Sequence, residues 1–134
     1  RHIGDAAALP RAIQTEIADI MEQTEHYTGT TVQLAINYGG KDEIVRAIKK
    51  LSAAQLETLT EEFFEQLLDT ADVPPVDLVI RTGGEKRLSN FLLWQTAYAE
   101  FYGTDVLWPD FTSAHLMEAL DAYGKRTRRF GRIV

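Results

Sequence analysis

The stretch that decides the fold is VDLVIRTGGEKRLSNFLLWQTAYAE, residues 76–100. It opens as a short apolar run that ends at Arg81, passes through the glycine pair Gly83-Gly84, and continues into an almost wholly apolar segment. A short apolar run between Pro74-Pro75 and a glycine pair is typical of a buried strand. The pattern therefore predicts a buried strand, a basic loop, and a buried helix that begins near Ser89.

Helices and strands alternate along the rest of the chain. In the first half of the chain we predict an amphipathic helix at 10–27, a strand at 32–36, a helix from Lys41 and a helix at about 53–70. The strand and helix of the opening stretch follow, then a strand within residues 104–111 that Pro109 stops, and a helix from Ala114 to about Arg128. Such alternation predicts an α/β fold with a parallel sheet flanked by helices. Three strands make a thin sheet, so we expect residues 1–134 to be a portion of a single domain.

Composition excludes several classes of function. The chain has 134 residues, no cysteine and a net charge of −6. Without cysteine there are no disulfides, thiol nucleophiles or cysteine-based zinc sites, which fits a cytoplasmic location. The acidic balance argues against a general nucleic-acid-binding protein. No apolar run approaches the length that spans a membrane.

The end of the chain departs from this acidic balance. Residues 125–134, the basic tail, contain five of the 14 Lys and Arg residues and no acid. One interpretation is a solvated helix end whose cations suit the helix dipole. The other is a distinct functional feature.

The loop at 81–89 carries the chemistry. Arg81 ends the predicted strand, Arg87 lies six residues further on, and Ser89 stands at the expected helix start. Guanidinium groups bind phosphate oxygens bidentately, and a hydroxyl and backbone amides add donors. These three residues therefore form a candidate diphosphate clamp. The alternative is ordinary salt bridging, for instance Glu85 to Arg87, with Ser89 as a helix cap.

Glu100 closes the apolar segment. On a buried helix, Ser89, Thr96 and Glu100 would lie on one stripe. A carboxylate in apolar surroundings is costly unless it is paired or bound to a metal. A hard oxygen ligand beside a phosphate clamp would suit a Mg²⁺–diphosphate site. A buried ion pair with an arginine is the competing account.

The segment DLVIRTGGEKRLSNFLLWQTAYAEFYGTDVLWPDF, residues 77–111, resembles the signature of the cis-prenyltransferases, the family of undecaprenyl diphosphate synthase. INYGGKDEIVRAI resembles that family's earlier NYGG segment, and RRFG its C-terminal end. The resemblance covers essentially the whole chain. It implies the cis-prenyltransferase fold, and the C-terminal half of that domain.

The resemblance also implies a function. Enzymes of this family use Mg²⁺ to condense isopentenyl diphosphate with an allylic diphosphate, such as farnesyl diphosphate, with cis geometry. By resemblance, Arg81, Arg87 and Ser89 would hold the isopentenyl diphosphate, with Arg81 also catalytic, and Glu100 would be catalytic and share the metal. Arg129 and Gly131 would belong to a tail motif that reaches the other subunit of a homodimer. The product would be a polyprenyl diphosphate such as undecaprenyl diphosphate, a cell wall lipid carrier, which would allow peripheral membrane association.

One departure from the family keeps an alternative open. The N-terminal loop of the DGNxRWA type, with its aspartate and the allylic diphosphate site, has no counterpart here. The missing part would be further sequence or a complementary chain, and we expect this portion alone to be inactive. The alternative function is therefore a non-catalytic partner subunit, or a fragment that binds diphosphate without turnover.

Overall fold

The computed structural model describes residues 1–126, so Arg129 and Gly131 lie outside the described residues. The chain divides into two units, one at residues 1–73 and one from Pro74 onward. In the first unit, β1 (His2–Ile3) pairs in parallel with β2 (Leu34–Ala35), and a 3₁₀ turn at Ala6–Ala8 follows β1. Its helices are α1 (Arg11–Thr24), α2 (Gly40–Lys49), α3 (Ala53–Glu57) and α4 (Glu61–Glu65).

The second unit contains another parallel pair. β3 (Leu78–Arg81) pairs with β4 (Glu100–Gly103), and Leu78 lies opposite Glu100. A 3₁₀ turn at Trp108–Asp110 and helix α5 (Ser113–Gly124) follow. Both pairs are parallel, and helices lie in both units, which confirms the predicted α/β class. The strands form two separate two-stranded sheets, whereas the sequence predicted one sheet of three.

The single helix predicted at 53–70 is wrong, because the structure has two short helices there. Two short helices, α3 and α4, take its place because each starts at its own hydroxyl cap. The Ser52 hydroxyl accepts from the N–H of Gln55, and the Thr60 hydroxyl accepts from the N–H of Phe63 at 3.2 Å. Hydroxyl side chains favour such caps over helix interiors. Phe64 and Leu68 are buried, whereas Phe63 is 36% exposed.

The predicted buried helix after Ser89 is also wrong. No regular helix lies between residues 89 and 99. Ser89, Asn90 and Leu92 have φ values of 49°, 66° and 45°, and a right-handed helix cannot pass through such residues. Strand β4 then begins at Glu100, whose N–H donates to the carbonyl of Asp77 at 2.9 Å. The predicted strand at 104–111 therefore lies a few residues too late.

Two predictions about burial in the second unit, for β3 and for the apolar segment that follows the basic loop, are wrong. The strand β3 is half-buried along its whole length, not fully buried. In the segment after the basic loop, Phe91 and Tyr98 are exposed. The apolar character of residues 91–99 thus reflects a partly covered irregular segment, not a helix buried on all sides.

An acid that sequence periodicity did not single out lies at the centre of the first unit. Glu43, on α2, is 1% exposed, and its carboxylate accepts from the Tyr38 hydroxyl at 2.6 Å and from the N–H of Asp69 at 2.9 Å. Buried carboxylates are tolerated when hydrogen bonds satisfy them. Glu43 therefore fastens the loop after β2 and the turn after α4 to the same helix.

Asp69 extends this arrangement. Its two carboxylate oxygens accept from the Arg46 guanidinium at 2.9 and 2.7 Å, and the N–H of Gly4 donates to it at 2.9 Å. Arg46 also contacts Asp42 at 2.8 Å, an i,i+4 pair within α2. Burial opposes ionisation of Asp69, but the bonds from Arg46 and Gly4 outweigh it, so the pKa of this carboxyl is lowered from its ordinary value.

Candidate functional site

The structure brings two of the three clamp residues together. One guanidinium nitrogen of Arg81, Nη1, donates to the backbone carbonyl of Arg87 and lies 3.2 Å from the Ser89 hydroxyl oxygen. Arg81 is the last residue of β3, so the loop folds back over the carboxyl end of that strand. Ligand sites of open α/β sheets lie at this end of the strands. Arg81 and Ser89 therefore occupy a suitable position for an anion.

The third clamp residue is turned to another partner. The Arg87 guanidinium forms an ion pair with Glu85, as the salt-bridge alternative predicted. Both side chains are well exposed, 65% for Arg87 and 44% for Glu85. An exposed ion pair contributes little to stability, so Arg87 can exchange this partner for a phosphate at low cost. Ser89, by contrast, caps no helix, and this part of the alternative is wrong.

The glycine pair of the loop does not present its amides to a ligand. The N–H of Gly83 donates to the Val106 carbonyl at 2.8 Å, and the N–H of Gly84 donates to the Thr104 carbonyl at 2.9 Å. Both glycines have positive φ, 81° and 77°. The pair therefore fixes the loop to the chain that leaves β4. A polar recess borders it, lined by Gly84, Lys86, Gly103, Thr104 and Asp105.

The other glycine pair follows β2. Gly39 precedes α2 and Gly40 is its first residue, without the positive φ of the second loop. Asn37, two residues earlier, has φ of 52°, and its amide nitrogen donates to the Asp5 carbonyl at 2.9 Å. These contacts join the loops that follow β1 and β2. Asn37 and this glycine pair therefore shape the loop that precedes α2.

Glu100 forms an ion pair with an arginine. Its carboxylate accepts from Arg126 at 2.6 Å, and the same guanidinium nitrogen donates to the Phe101 carbonyl at 3.1 Å. The Glu100 side chain is 26% exposed. The competing account of Glu100, pairing with an arginine, is thus the arrangement that the structure contains. Arg126 belongs to the basic tail, but no sequence signal connects it to Glu100.

The strand register separates Glu100 from the clamp. Arg81 lies opposite Gly103, three residues beyond Glu100 on β4, which corresponds to about 10 Å along the strand. Side chains also alternate between the two faces of a strand, so positions three apart point to opposite faces. The predicted stripe of Ser89, Thr96 and Glu100 required a continuous helix and is wrong. Within this chain, Glu100 and Arg81 do not converge.

The described residues do not assemble a metal site by themselves. No group of three or more His, Asp or Glu side chains with metal-binding spacing occurs within residues 1–126. Mg²⁺ usually takes carboxylate ligands together with water and substrate phosphates. Glu100 would supply one carboxylate and would first have to release Arg126. This donor set alone does not fit a bound Mg²⁺.

Comparison with known proteins identifies the family. Residues 1–131 match the prenyltransferase family described as "Putative undecaprenyl diphosphate synthase". The chain belongs to this prenyltransferase family. It is 59% identical over 130 residues to an isoprenyl transferase of Treponema denticola, covering 97% of this chain and 57% of the relative. An isoprenyl transferase of Aquifex aeolicus is 46% identical, covering all of this chain and 58% of that protein.

Solved structures of this family share the fold. A lavandulyl diphosphate synthase from Lavandula x intermedia, in complex with dimethylallyl diphosphate, superposes with a TM-score of 0.91 and 41% identity, covering 98% of this chain and 59% of the other. A probable undecaprenyl diphosphate synthase from Campylobacter jejuni gives a TM-score of 0.87 and 40% identity, with coverages of 98% and 62%. The predicted cis-prenyltransferase fold is confirmed.

The chain spans somewhat more than half the length of the curated relatives it matches. The family match at residues 1–131 does not bear out the narrower prediction that the chain is the C-terminal half. No helix within residues 1–126 has the length and apolar character needed to cross a membrane.

Proposed function

We propose that this chain is part of an enzyme that condenses isopentenyl diphosphate with an allylic diphosphate to give a longer prenyl diphosphate with a new cis double bond. Membership of the prenyltransferase family supports the reaction class. The convergence of Arg81 and Ser89 at the carboxyl end of β3 carries the assignment of the substrate site. The name of the Campylobacter relative suggests undecaprenyl diphosphate as the product.

The clamp residues would bind the diphosphate of isopentenyl diphosphate. Arg81 is held by two contacts within its own loop, so its planar guanidinium is oriented before substrate arrives. Arg87 would turn from Glu85 to a phosphate oxygen, adding a second cation. The Ser89 hydroxyl would donate to a third oxygen. Such pre-oriented charge reduces the entropic cost of binding and fixes the position of the substrate's double bond.

The reaction then proceeds without net oxidation or reduction. The bond between C1 of the allylic substrate and its diphosphate breaks, and the diphosphate leaves with the electron pair. The double bond of isopentenyl diphosphate supplies the electrons for the new carbon–carbon bond to C1. Loss of one proton from the former isopentenyl unit creates the cis alkene. In this chain the clamp residues hold the nucleophilic substrate in place.

We include Mg²⁺ in the proposal as the cofactor that the family resemblance implies. It would neutralise diphosphate charge, with Glu100 as one ligand. Because the described residues do not form a metal site alone, the remaining ligands would come from substrate oxygens and from residues beyond this chain.

We also propose a cytoplasmic homodimer that meets membranes through its lipid product and does not bind nucleic acid. The net charge of −6 favours this last expectation.

The test is incorporation of labelled isopentenyl diphosphate by the protein that contains this chain, with Mg²⁺ and farnesyl diphosphate. We expect a longer prenyl diphosphate, and failure with every allylic primer would rule out the reaction.

Replacing Arg87 by Ala should raise KM for isopentenyl diphosphate about tenfold, since a charge-assisted phosphate contact is lost. Arg11→Ala is the matched control, because Arg11 is an exposed arginine of α1. An unchanged KM in Arg87→Ala would remove Arg87 from the clamp.

One observation favours a second candidate function. Glu100 is paired with Arg126, and the strand register separates it from Arg81, so the described residues contain the candidate clamp but no group of metal-binding side chains. This combination suits a subunit that binds diphosphate and leaves catalysis to a partner. Equilibrium binding distinguishes the two functions. Saturable binding of isopentenyl diphosphate without incorporation would favour the binding subunit.

A further inference from the structure

The polar recess beside the candidate clamp lies at the carboxyl ends of β3 and β4. Its volume is about 280 Å³, and Lys86, Gly103 and Thr104 are among the residues that line it. Gly103 lies opposite Arg81 in the strand register. Since side chains alternate from face to face along each strand, residues that lie opposite each other share a face. The space that Gly103 leaves open is therefore on the face to which the Arg81 side chain points.

The Lys86 side chain borders this open space. A Cβ placed on Gly103 would lie 3.8 Å from the Lys86 Cγ and 3.6 Å from the Phe101 Cε1. These are ordinary contact distances, so the aliphatic part of Lys86 lies over the last residue of β4. Arg81 is the last residue of β3, and neighbouring strands are about 4.8 Å apart. Each strand of the pair thus ends beneath a basic side chain.

The charge of Lys86 is not neutralised by the described part of the chain. Glu85, its neighbour in sequence, pairs with Arg87 instead. Asp105 lines the same recess, yet no ion pair among residues 1–126 includes Lys86. Cations that lie close together repel each other, and an anion that contacts several of them removes the repulsion. An anion with two phosphate groups has the charge and the length to contact both Arg81 and Lys86.

We propose that Lys86 is a further diphosphate-binding residue, and that the missing side chain at Gly103 opens the recess to the second phosphate group. Arg81 and Ser89 bind one phosphate group, and the Lys86 ammonium binds the other. Asp105 opposes this binding, because its carboxylate lines the same recess and repels an anion. The inference deepens the proposed function and rests on it only for the organic group that the diphosphate carries.

Equilibrium binding of inorganic diphosphate tests Lys86 without prenyl transfer. In the protein that contains this chain, Lys86→Gln should raise Kd for inorganic diphosphate about three- to tenfold, since one exposed, charge-assisted contact is lost. Kd for inorganic phosphate, which needs only Arg81 and Ser89, should change less than about twofold. Lys86→Arg keeps the charge and should restore most of the affinity for diphosphate.

Lys125→Gln is the matched control for the loss of a lysine. Lys125 is exposed, and its neighbour Arg126 contacts Glu100 at the opposite end of β4 from Gly103. The substitution should therefore leave Kd for inorganic diphosphate unchanged. Circular dichroism establishes that each variant is folded.

Substitutions at Gly103 test the recess itself. Gly103 lacks a positive φ, and a Cβ meets its neighbours at 3.6 Å or more, so Gly103→Ala should bind inorganic diphosphate as wild type does. The larger side chain of Gly103→Val fills the recess and should raise Kd for diphosphate as Lys86→Gln does. The double variant should add little, because both substitutions remove the same contact. Asp105→Asn should tighten binding of diphosphate, since it removes a repelling charge.

Three results would overturn the inference. They are an unchanged Kd for diphosphate in Lys86→Gln, equal weakening of phosphate and diphosphate binding in that variant, or weaker diphosphate binding in Asp105→Asn. If diphosphate binding responds as expected but wild-type protein transfers no prenyl group, the role of Lys86 stands and the proposed reaction fails. If prenyl transfer proceeds and Lys86→Gln leaves Kd for diphosphate unchanged, the reaction stands and the role of Lys86 fails.

Discussion

Gly4 shows how a single residue controls the approach of two loops. It has φ of +120°, and a Cβ placed on it would lie 2.5 Å from the Ile36 carbonyl oxygen and 2.9 Å from that of Asn37. Real Cβ atoms do not approach oxygen so closely. Both neighbours are backbone atoms, so a side chain cannot move aside to make room. The loops after β1 and β2 can therefore meet only over glycine.

We predict that Gly4→Ala destabilises the protein by at least about 2 kcal/mol, because backbone strain and overlap with carbonyl oxygens add. Gly29→Ala is the matched control, since no atom lies within 4 Å of the position of its Cβ. Urea denaturation of both variants measures the difference. Equal free energies of unfolding for the two would contradict the close approach at Gly4.

Asp69 predicts how stability depends on pH. A carboxyl whose pKa is lowered in the folded state stabilises that state above its unfolded pKa of about 3.9, and this contribution is lost as pH falls through the folded pKa. Asp69→Asn should cost about 1–3 kcal/mol near neutral pH, since Arg46 loses its charged partner. As pH falls below the unfolded pKa of about 3.9, the variant should also lose less stability than wild type does.

Thermal unfolding across this pH range is the measurement. Asp72→Asn is the control, because Asp72 is 80% exposed and its contact with Arg1 is 3.6 Å long. An acid profile of Asp69→Asn that parallels wild type would show that Asp69 does not contribute to acid sensitivity.

At the scale of elements, the break between α3 and α4 depends on Thr60. Its hydroxyl caps α4, and no residue before Phe64 in that helix is buried. Thr60→Ala should therefore cost about 1 kcal/mol, the usual effect of removing a helix cap. Thr58→Ala is the control, since the Thr58 hydroxyl makes no hydrogen bond to the described part of the chain. Equilibrium denaturation compares the two, and an equal or smaller effect at Thr60 would contradict the cap.

Sequence patterns predicted the elements with strong local signals. The amphipathic spacing of α1 and α2 and the apolar run of β3 survive in the structure with small changes of bounds. The two-residue strand β1 was missed, because two residues carry no periodicity. The helix predicted after Ser89 failed because apolar content does not reveal a positive φ.

In the candidate site, contacts between residues close in sequence were predictable, and contacts between distant residues were not. Arg81 and Ser89 are eight residues apart in one loop, so their contact follows from local sequence. Arg126 and Glu100 are 26 residues apart, and the tail offers five cations as partners. Only the packing of α5 beside β4 selects one of them. The sequence could therefore propose an ion pair for Glu100 without naming its arginine.

At the scale of the whole molecule, apolar side chains remain exposed in the second unit. Trp108 is 74% exposed, Leu107 60% and Met117 57%. Exposed apolar surface of this kind is common at interfaces between subunits. It supports the proposed homodimer, with these exposed apolar residues as the candidate contact.

We predict that the protein that contains this chain sediments at about twice the mass of its monomer. Met117→Glu should shift the equilibrium to the monomer, because it places a charge in the contact. Glu118→Gln, at the adjacent exposed position, is the control and should leave the mass unchanged. A monomeric mass for the unmodified chain well above micromolar concentration would contradict the dimer.

The hydrogen bonds of Gly83 and Gly84 bear on which substitutions this family can accept. Both bonds end on backbone carbonyl oxygens, those of Val106 and Thr104. Every residue type supplies that oxygen, so evolutionary drift at position 106 can change the side chain without releasing the loop. The glycines have no such freedom, since their φ values of 81° and 77° exclude most other residues. The two glycines that donate these hydrogen bonds therefore tolerate fewer substitutions than the two residues whose carbonyl groups accept them.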